Sequence, residues 1–443
     1  MTSITNVLVA ARRLVTPSAS LERKMRAMAD EMLARVTDAS SRFPEVRGVH
    51  LGGSYAKGTW LPKDVDLDIF VRFAREVDDS TFETVGLAIG EEAVRGYPHG
   101  KKYAQHPYTE ASVDGIKVNV VPCYDVRPGS WKSAADRSLF HVEFVNERMS
   151  KAGKHQVRLL KRFMRTVGVY GAEIEKEGFS GYASEVLVLE HGGFEEALRY
   201  FSKLSFVRGN PFSLKDPVDP NRELATAVSG ETVARMVLAS RAFLTSPDVS
   251  YFRSVTRKKR RKLVGNLYCI TFEHPLLSED TLWGELKKST RQLVKHVENE
   301  GFRVVRSTAI SNDIDRSAIV LLPESDELPP LVQRAGPSVD LQGEVKRFLS
   351  KNKEKVELVW VADDGRLHVL QRRRYTRLEA LLRELRGESV RRLGLSRDIA
   401  LAIERTGKVL TGAEVEHERS VDEWFREGID SVVSDTIGTD SAR

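Results

Sequence analysis

Gly52-Gly53-Ser54-Tyr55-Ala56-Lys57-Gly58-Thr59-Trp60-Leu61-Pro62-Lys63-Asp64-Val65-Asp66-Leu67-Asp68, running on into Ile69-Phe70-Val71, is the stretch that decides the fold. A glycine-serine turn is followed, one short loop later, by two carboxylates spaced i, i+2 in a β-like segment. Successive side chains on a strand point to opposite faces, so Asp66 and Asp68 share one face while Val65, Leu67 and Ile69 enter the core behind them. Two carboxylates on one face can converge on a hard divalent cation. The turn at Gly53 offers backbone amides, Ser54 a hydroxyl and Lys57 a charge, all suited to phosphate oxygens. Taken singly, Asp-x-Asp is an ordinary solvated strand edge and Gly-Gly-Ser an ordinary turn. In this order, with an apolar strand fixing the direction of the acids, they are the equipment for moving a nucleotidyl group.

Composition sets the frame. A chain of 443 residues is too long for one core and predicts about two to four domains. A hydrophobic content of 41% beside 30% charged residues is that of a soluble globular protein. The two cysteines, Cys123 and Cys269, are far apart in sequence and have no Cys-x-x-Cys partner. That argues against a disulfide framework or a cysteine-rich zinc site and for a reducing cytoplasm. No stretch approaches the length of a membrane span, and the N-terminus lacks the shape of a signal peptide. A net charge of +6 favours a polyanionic partner. The charge is clustered: Arg257-Lys258-Lys259-Arg260-Arg261-Lys262 is one cationic run, and Arg372-Arg373-Arg374 with Arg377 another. Such runs are ordinarily solvated surface; after a nucleotidyl-transfer module they read as contacts to a nucleic-acid backbone.

Along the chain, apolar residues between 20 and 38 recur at helical period. A strand ending Val49-His50-Leu51, the turn, the acidic strand 65–72, a helix near 80–95 and an alternating segment at 112–122 follow. Pro122 closes that segment, and Asp114-Gly115 makes its turn. From Asn146 to about 245 the period is helical again, with stripes such as Val157, Leu160, Met164 and Tyr182, Val186, Leu189 read as core. Strands return at Leu267–Phe272, Phe302–Thr308 and Ile319–Leu322 around a helix at 278–301. A helix at 341–351 precedes Val356–Ala362 and Arg366–Arg372, a hairpin turned by Asp363-Asp364-Gly365. The whole predicts an α+β multidomain protein.

These residues match the nucleotidyltransferase superfamily that includes DNA polymerase beta and the poly(A) polymerases. Specifically, the chain resembles the archaeal-type (class I) CCA-adding tRNA nucleotidyltransferases. The likeness runs through His106-Pro107-Tyr108, Val120-Val121-Pro122-Cys123-Tyr124, Lys132-Ser133-Ala134-Ala135-Asp136-Arg137, Val157-Arg158-Leu159-Leu160-Lys161, Tyr170-Gly171-Ala172-Glu173, Gly178-Phe179-Ser180-Gly181-Tyr182 and Asp216-Pro217-Val218-Asp219. Weaker likeness continues in Arg306-Ser307, Gly336-Pro337 and Val345-Lys346-Arg347-Phe348.

The resemblance implies a polymerase-beta-like catalytic head at 1–140, a helical neck at 141–246, an α/β body at 247–334 and 395–443, and a tail at 335–394, in a homodimer. It implies template-independent addition of C, C and A to the 3′ end of tRNA from CTP and ATP, with Mg²⁺ or Mn²⁺. Asp66 and Asp68 would hold the metal. Gly53, Ser54 and Lys57 would hold phosphates, and His141, Lys161 and Tyr170 would line the nucleotide pocket, with Tyr170 on a helix neighbouring Lys161. Arg222 would read the base edge. The basic runs and Arg306 would contact RNA. Four positions depart from the family pattern: Asn119 stands for the third metal-binding aspartate, Lys57 for an arginine, Gln105 for a glutamate and Glu223 for an asparagine. An amide oxygen can ligate Mg²⁺ but brings no negative charge. The departures leave open either a divergent active enzyme or a tRNA-binding paralogue with weakened chemistry, and beyond these another nucleotidyl transfer.

Overall fold

Strand alternation, helix caps and tight-turn residues account for most of the architecture. The computed structural model describes residues 3–103, 105–207, 209–253, 261–353, 356–385 and 388–434. They fall into two units, the first up to residue 253 and the second from 261 to 434.

In the first unit, α1 (Ile4–Val15) and α2 (Ala19–Ser40) are each opened by a serine whose hydroxyl accepts a backbone N–H of the first turn. Then come β1 (Val46–Leu51), the one-turn α3 (Gly53–Lys57), β2 (Asp66–Phe73), α4 (Asp79–Ala93), β3 (His99–Tyr103), β4 (Pro107–Val113) and β5 (Ile116–Tyr124). These strands form one sheet in the order β1-β2-β5-β4-β3, with β2 parallel to β5 and the other pairs antiparallel. Asp114 and Gly115 both have positive φ, 49° and 79°, which makes the two-residue hairpin turn between β4 and β5. Pro122 lies inside β5 rather than closing it; the β4 ladder ends at Thr109 opposite Val120, so the residue without an N–H falls past the last β4 pair. Met28, Met32 and Val36 of α2 and Phe82 and Ile89 of α4 bury Leu67, Ile69, Val71, Val118 and Val120 on one face of the sheet.

The same unit continues as helices: α5 (Arg137–Arg148), α6 (Lys151–Val167), α7 (Gly181–His191), α8 (Phe194–Lys203) and α9 (Gly230–Thr245). Phe163, Phe194, Phe201, Phe243 and Phe252 fill their core. Val7, Ala11 and Val15 of α1 belong to this core and not to the sheet's. The apolar face of α1 is thus covered by the helical cluster.

In the second unit β6 (Tyr268–Glu273), α10 (Glu279–Asn299), β7 (Val304–Ser311) and β8 (Arg316–Pro323) occur where strands and helix were expected. β9 (Leu331–Ser338), α11 (Gln342–Asn352), β10 (Val356–Val361), β11 (Arg366–Arg372), α12 (Leu378–Arg383), α13 (Glu388–Arg391), α14 (Arg397–Thr406), β12 (Lys408–Thr411), α15 (Ala413–Val421) and α16 (Glu423–Val432) follow. A four-stranded sheet in the order β12-β6-β8-β7 packs with Leu286 and Leu293 of α10, Leu378 and Leu382 of α12 and Ile399 of α14. A second cluster joins Cys269, Ala318 and Val320 to Val415, Phe425 and Ile429 of α15 and α16. A separate three-stranded sheet runs β10-β11-β9. Leu378 and the residues of α12 after it pack in the core of the four-stranded sheet. Among the described residues no helix is long and apolar enough to cross a membrane.

Candidate active site

Parallel pairing of β2 with β5 places Asp68 opposite Asn119 and Asp66 opposite Lys117. Leu67, between the acids, and Ile69, just after them, are fully buried, so the strand period turns both carboxylates to the other face. Asn119 Nδ2 donates to Asp68 Oδ1 at 2.9 Å, while Asn119 Oδ1 is buried without a hydrogen-bond partner. Burial raises the Asp68 carboxyl above its ordinary value, against the Asn119 hydrogen bond and the Lys57 charge. Burial and then the neighbouring Asp68 raise Asp66. Two carboxylates that resist ionisation, beside an orphaned amide oxygen, are a donor set completed by a hard cation. Turning the Asn119 amide over would offer its oxygen to the same place. Among the described residues no group of three or more His, Cys, Asp and Glu side chains gathers as a metal site.

The glycine turn lies directly against these acids. Gly53 has φ +61°, and a Cβ there would meet Asp68 Oδ2 at 1.7 Å, so no other residue fits. Gly52 N donates to the Asp68 carbonyl at 2.8 Å, fixing the turn to β2, and Ser54 follows in the first turn of α3. Lys57, the last residue of α3, is buried. Its ammonium pairs with Glu185 Oε2 at 2.5 Å and lies 5.3 Å from the centre of the Tyr182 ring.

Lys161 of α6 reaches the same carboxylate, Nζ to Oε1 at 2.8 Å, and also donates to Thr59 Oγ1 at 3.1 Å. The Thr59 hydroxyl donates to Glu185 Oε1 at 2.5 Å. Full burial pushes the Glu185 carboxyl upward, but the Lys161 and Lys57 ammoniums overrule it and hold it at about 2. The anion that Lys161 needs is therefore supplied from within the protein. Arg158 and Arg165 lie on the same side of α6. Arg158 donates to the carbonyls of Gly58 and Trp60, and Arg165 pairs with Asp64 at 3.0 Å. Three basic residues spaced i, i+3 and i+7 thus fasten the helical core to the loop between the glycine turn and the acidic strand.

Asp216 organises the rest of the pocket. Its carboxylate, wholly buried, accepts from Tyr182 Oη at 3.1 Å, Arg222 Nη1 at 3.1 Å and the Val218 N–H at 2.9 Å, and meets His141 Nε2 at 3.0 Å. His141 stacks on Tyr182 with ring centres 3.7 Å apart. Burial lowers the His141 pKa despite its Asp216 bond, which favours the neutral ring. Tyr170 is not on a helix: it forms a β-bridge with Phe179 after α6 ends, and Arg165 covers its ring at 4.7 Å. Burial pushes its phenol up to about 12, so it is a hydrogen-bond donor. A Cβ on Gly181 would meet Tyr170 Oη at 2.9 Å and Lys161 Nζ at 3.4 Å, so this glycine keeps open the space where hydroxyl and ammonium converge. Glu223, by contrast, accepts the N–H groups of Leu214 and Ala225 and shapes its own loop.

In the second unit Arg306 and the Arg372–Arg374 cluster with Arg377 have protein partners. Arg306 donates to the carbonyls of Val432 and Ser434 at the end of α16, which accounts for its position without RNA. Arg372 pairs with Glu357 at 2.6 Å, Arg374 with Glu384 at 2.9 Å and Arg377 with Glu327 at 2.7 Å. Arg373 donates to the Glu300 carbonyl at 3.4 Å. Arg257, Lys258, Lys259 and Arg260 and the side chain of Arg261 lie outside the described residues; Lys262 is exposed.

Glu185 and Asp216 were not anticipated as site residues. Glu185 carried one signal, an acid amid Tyr182, Ala183, Val186, Leu187 and Val188 on a helix buried on nearly every side. Asp216 carried none beyond its Asp-Pro turn.

A sheet that sets two carboxylates beside a glycine turn, with a basic helical wall, defines a nucleotidyltransferase, and the description "Nucleotidyltransferase domain" matches residues 36–141. "tRNA nucleotidyltransferase, second domain" matches 155–253 and "CCA-adding enzyme, C-terminal domain" 265–412. The CCA-adding enzyme of Pyrobaculum islandicum is 34% identical over 88% of this chain and 95% of its own. That of Pyrobaculum neutrophilum is 37% identical over 86% and 94%. That of Thermoplasma acidophilum is 39% identical over 66% and 70%. The chain belongs to the CCA-adding enzyme family.

Proposed function

We propose that the protein adds C, C and A to the 3′ end of tRNA from CTP and ATP, with release of pyrophosphate. The observation that supports this chemistry is the packing of the Gly53 backbone onto Asp68 Oδ2, which sets the glycine turn against the β2 acids proposed to hold the metal. Asp66, Asp68 and the Asn119 amide oxygen would hold Mg²⁺ or Mn²⁺. When bound, the metal supplies charge neutralisation on the triphosphate and a lowered pKa for the tRNA 3′-hydroxyl.

The remaining work falls to this chain's own side chains. Ser54 and the turn amides hold phosphate oxygens, and Lys57 and Lys161 neutralise the triphosphate as point charges. Tyr170 donates a hydrogen bond from its phenol. Asp216 orients both the His141 ring and the Arg222 guanidinium, leaving Arg222 donors to read a base edge without a template. Asn119 in place of a carboxylate leaves the metal site with one negative charge fewer. The run Arg257–Lys262 and the cluster Arg372–Arg374 would contact the tRNA backbone, with the three-stranded sheet acting as the tail. A homodimer and a reducing cytoplasm complete the proposal; the latter accords with two buried free thiols, Cys123 and Cys269.

The test is extension of tRNA lacking its CCA end with CTP, ATP and Mg²⁺ or Mn²⁺. Three nucleotides are expected from the wild type. Asp68→Asn is expected to lose at least about 10³-fold in rate, as for loss of a central electrostatic group. Wild-type protein that binds this tRNA but never extends it would overturn the proposal.

A further inference from the structure

The buried carboxylate of Glu185 has no place in the chemistry above, yet it holds both lysines assigned to the triphosphate. The three groups are not equivalent. Lys161 has 2% of its side chain exposed and is fixed by Glu185 Oε1, the Thr59 hydroxyl and, at 3.4 Å, the Thr59 carbonyl. Lys57 has 8% exposed and, among the described residues, is held by Glu185 Oε2 and the face of Tyr182. It is also the member nearest the chemistry, since it ends the helical turn that Gly53 begins against Asp68. Its charge reaches Asp68 on one side and His141 on the other. A carboxylate shared by two ammoniums leaves a net charge of +1 at the place where a polyanion is to bind.

We infer that Glu185 is a positioning residue that stands in for phosphate: it gathers Lys57 and Lys161 on one buried carboxylate and yields Lys57 to the triphosphate when nucleotide binds. Three consequences follow from the geometry. The site is pre-organised and cannot collapse by mutual repulsion of two desolvated ammoniums. Triphosphate must compete with an internal anion, so ground-state affinity is held down. Lys161, with its Thr59 bonds, remains in place while Lys57 changes partner.

This inference rests on the reading of the two lysines as triphosphate ligands, and the experiment separates the two. Binding of inorganic tripolyphosphate to the full chain is measured by calorimetry at low salt, with Tm recorded for each protein and kcat and KM for CTP where turnover is seen. Lys57→Met is expected to weaken tripolyphosphate binding at least about tenfold; unchanged binding would remove Lys57 from the triphosphate site and end the underlying reading. Glu185→Gln, which keeps the shape and removes the competing charge, is expected to bind tripolyphosphate about tenfold more tightly while its ligand-free Tm falls. Its kcat is expected to fall about 10²-fold with no rise in KM. A merely structural role would lower Tm and weaken binding together. Glu185→Asp keeps the charge but shortens the reach, and is expected to bind tripolyphosphate more tightly by about threefold, which provides a reading should the glutamine variant not fold. Lysine-dependent binding that is unchanged or weaker in Glu185→Gln, or in Glu185→Asp if only that variant folds, overturns the inference alone.

Discussion

Lysine and arginine meet carboxylates at nearly equal distances in two regions of the molecule. In the cleft of the first unit, Lys57 and Lys161 pair with Glu185 at 2.5 and 2.8 Å. In the second unit, Arg372 and Arg374 pair with Glu357 and Glu384 at 2.6 and 2.9 Å. What differs is water: the two lysines expose 8% and 2% of their side chains, the two arginines 72% and 73%. Coulomb attraction at a fixed distance varies severalfold between bulk water and a protein interior, and so does the cost of leaving one charge unpaired. Geometry alone therefore does not separate a structural ion pair from one available to a ligand. Burial does, and it assigns opposite behaviour to the two regions: charges in the cleft are committed to one another until an anion replaces a partner, whereas charges on the exposed strands are exchangeable at little cost.

The largest effect that would sharpen this contrast is on stability. Lys161→Met removes one of two cations from a carboxylate with no exposure, and is expected to destabilise the first unit by about 3–5 kcal/mol in denaturant unfolding. A loss under about 1 kcal/mol would place the cleft pair in the same class as the exposed ones.

A second contrast is in acid. Glu185 and Asp216 are held at about 2 from ordinary values of 4.5 and 3.8. For Asp216, the His141, Val218 and Arg222 hydrogen bonds outweigh the upward push of burial. As pH falls, the unfolded chain takes up these protons first, so the stability they confer is complete above about pH 4.5 and drains away toward pH 2. Glu185→Gln is expected to flatten the acid limb of stability between those values, even though its stability near neutral pH is lower. An acid limb parallel to that of the wild type would assign acid sensitivity to other carboxyls.

How much of this was legible depended on whether a residue's partners were close in sequence. Asp66 and Asp68 were readable because a strand's period of two fixes their face and the alternating apolar residues Val65, Leu67 and Ile69 fix the orientation. Asp114-Gly115 announced its hairpin through backbone chemistry alone. Glu185 was not readable, because its partners Lys57 of α3 and Thr59 of the loop before β2 are far away in the chain, and an α7 buried on nearly every side gives no amphipathic stripe to mark the exception. β9 was hidden by Gly336 and Pro337, which read as a break. It lies at the edge of its sheet, where proline is tolerated, and a Cβ on Gly336 would strike the Phe348 ring at 2.7 Å. α1 and α12 show the complementary limit: apolar periodicity marks a helix as amphipathic but does not say which of several cores receives its apolar face.

The smallest expected effect is the one that most directly tests the exposed side of the comparison. Arg372→Ala and Arg374→Ala each remove a partner from a solvated carboxylate, and each is expected to change unfolding free energy by no more than about 0.5 kcal/mol. If these guanidiniums lie on a phosphate backbone, tRNA affinity falls uniformly across sequences and the slope of log affinity against log salt becomes shallower by about 1 for each phosphate no longer neutralised. Glu357 and Glu384 then act as weak, exchangeable counterions, much as salt does, and Glu384→Gln is expected to strengthen tRNA binding slightly. Unchanged salt slopes in both arginine variants would leave these residues as solvated strand charges and shift the tRNA interface to other basic residues.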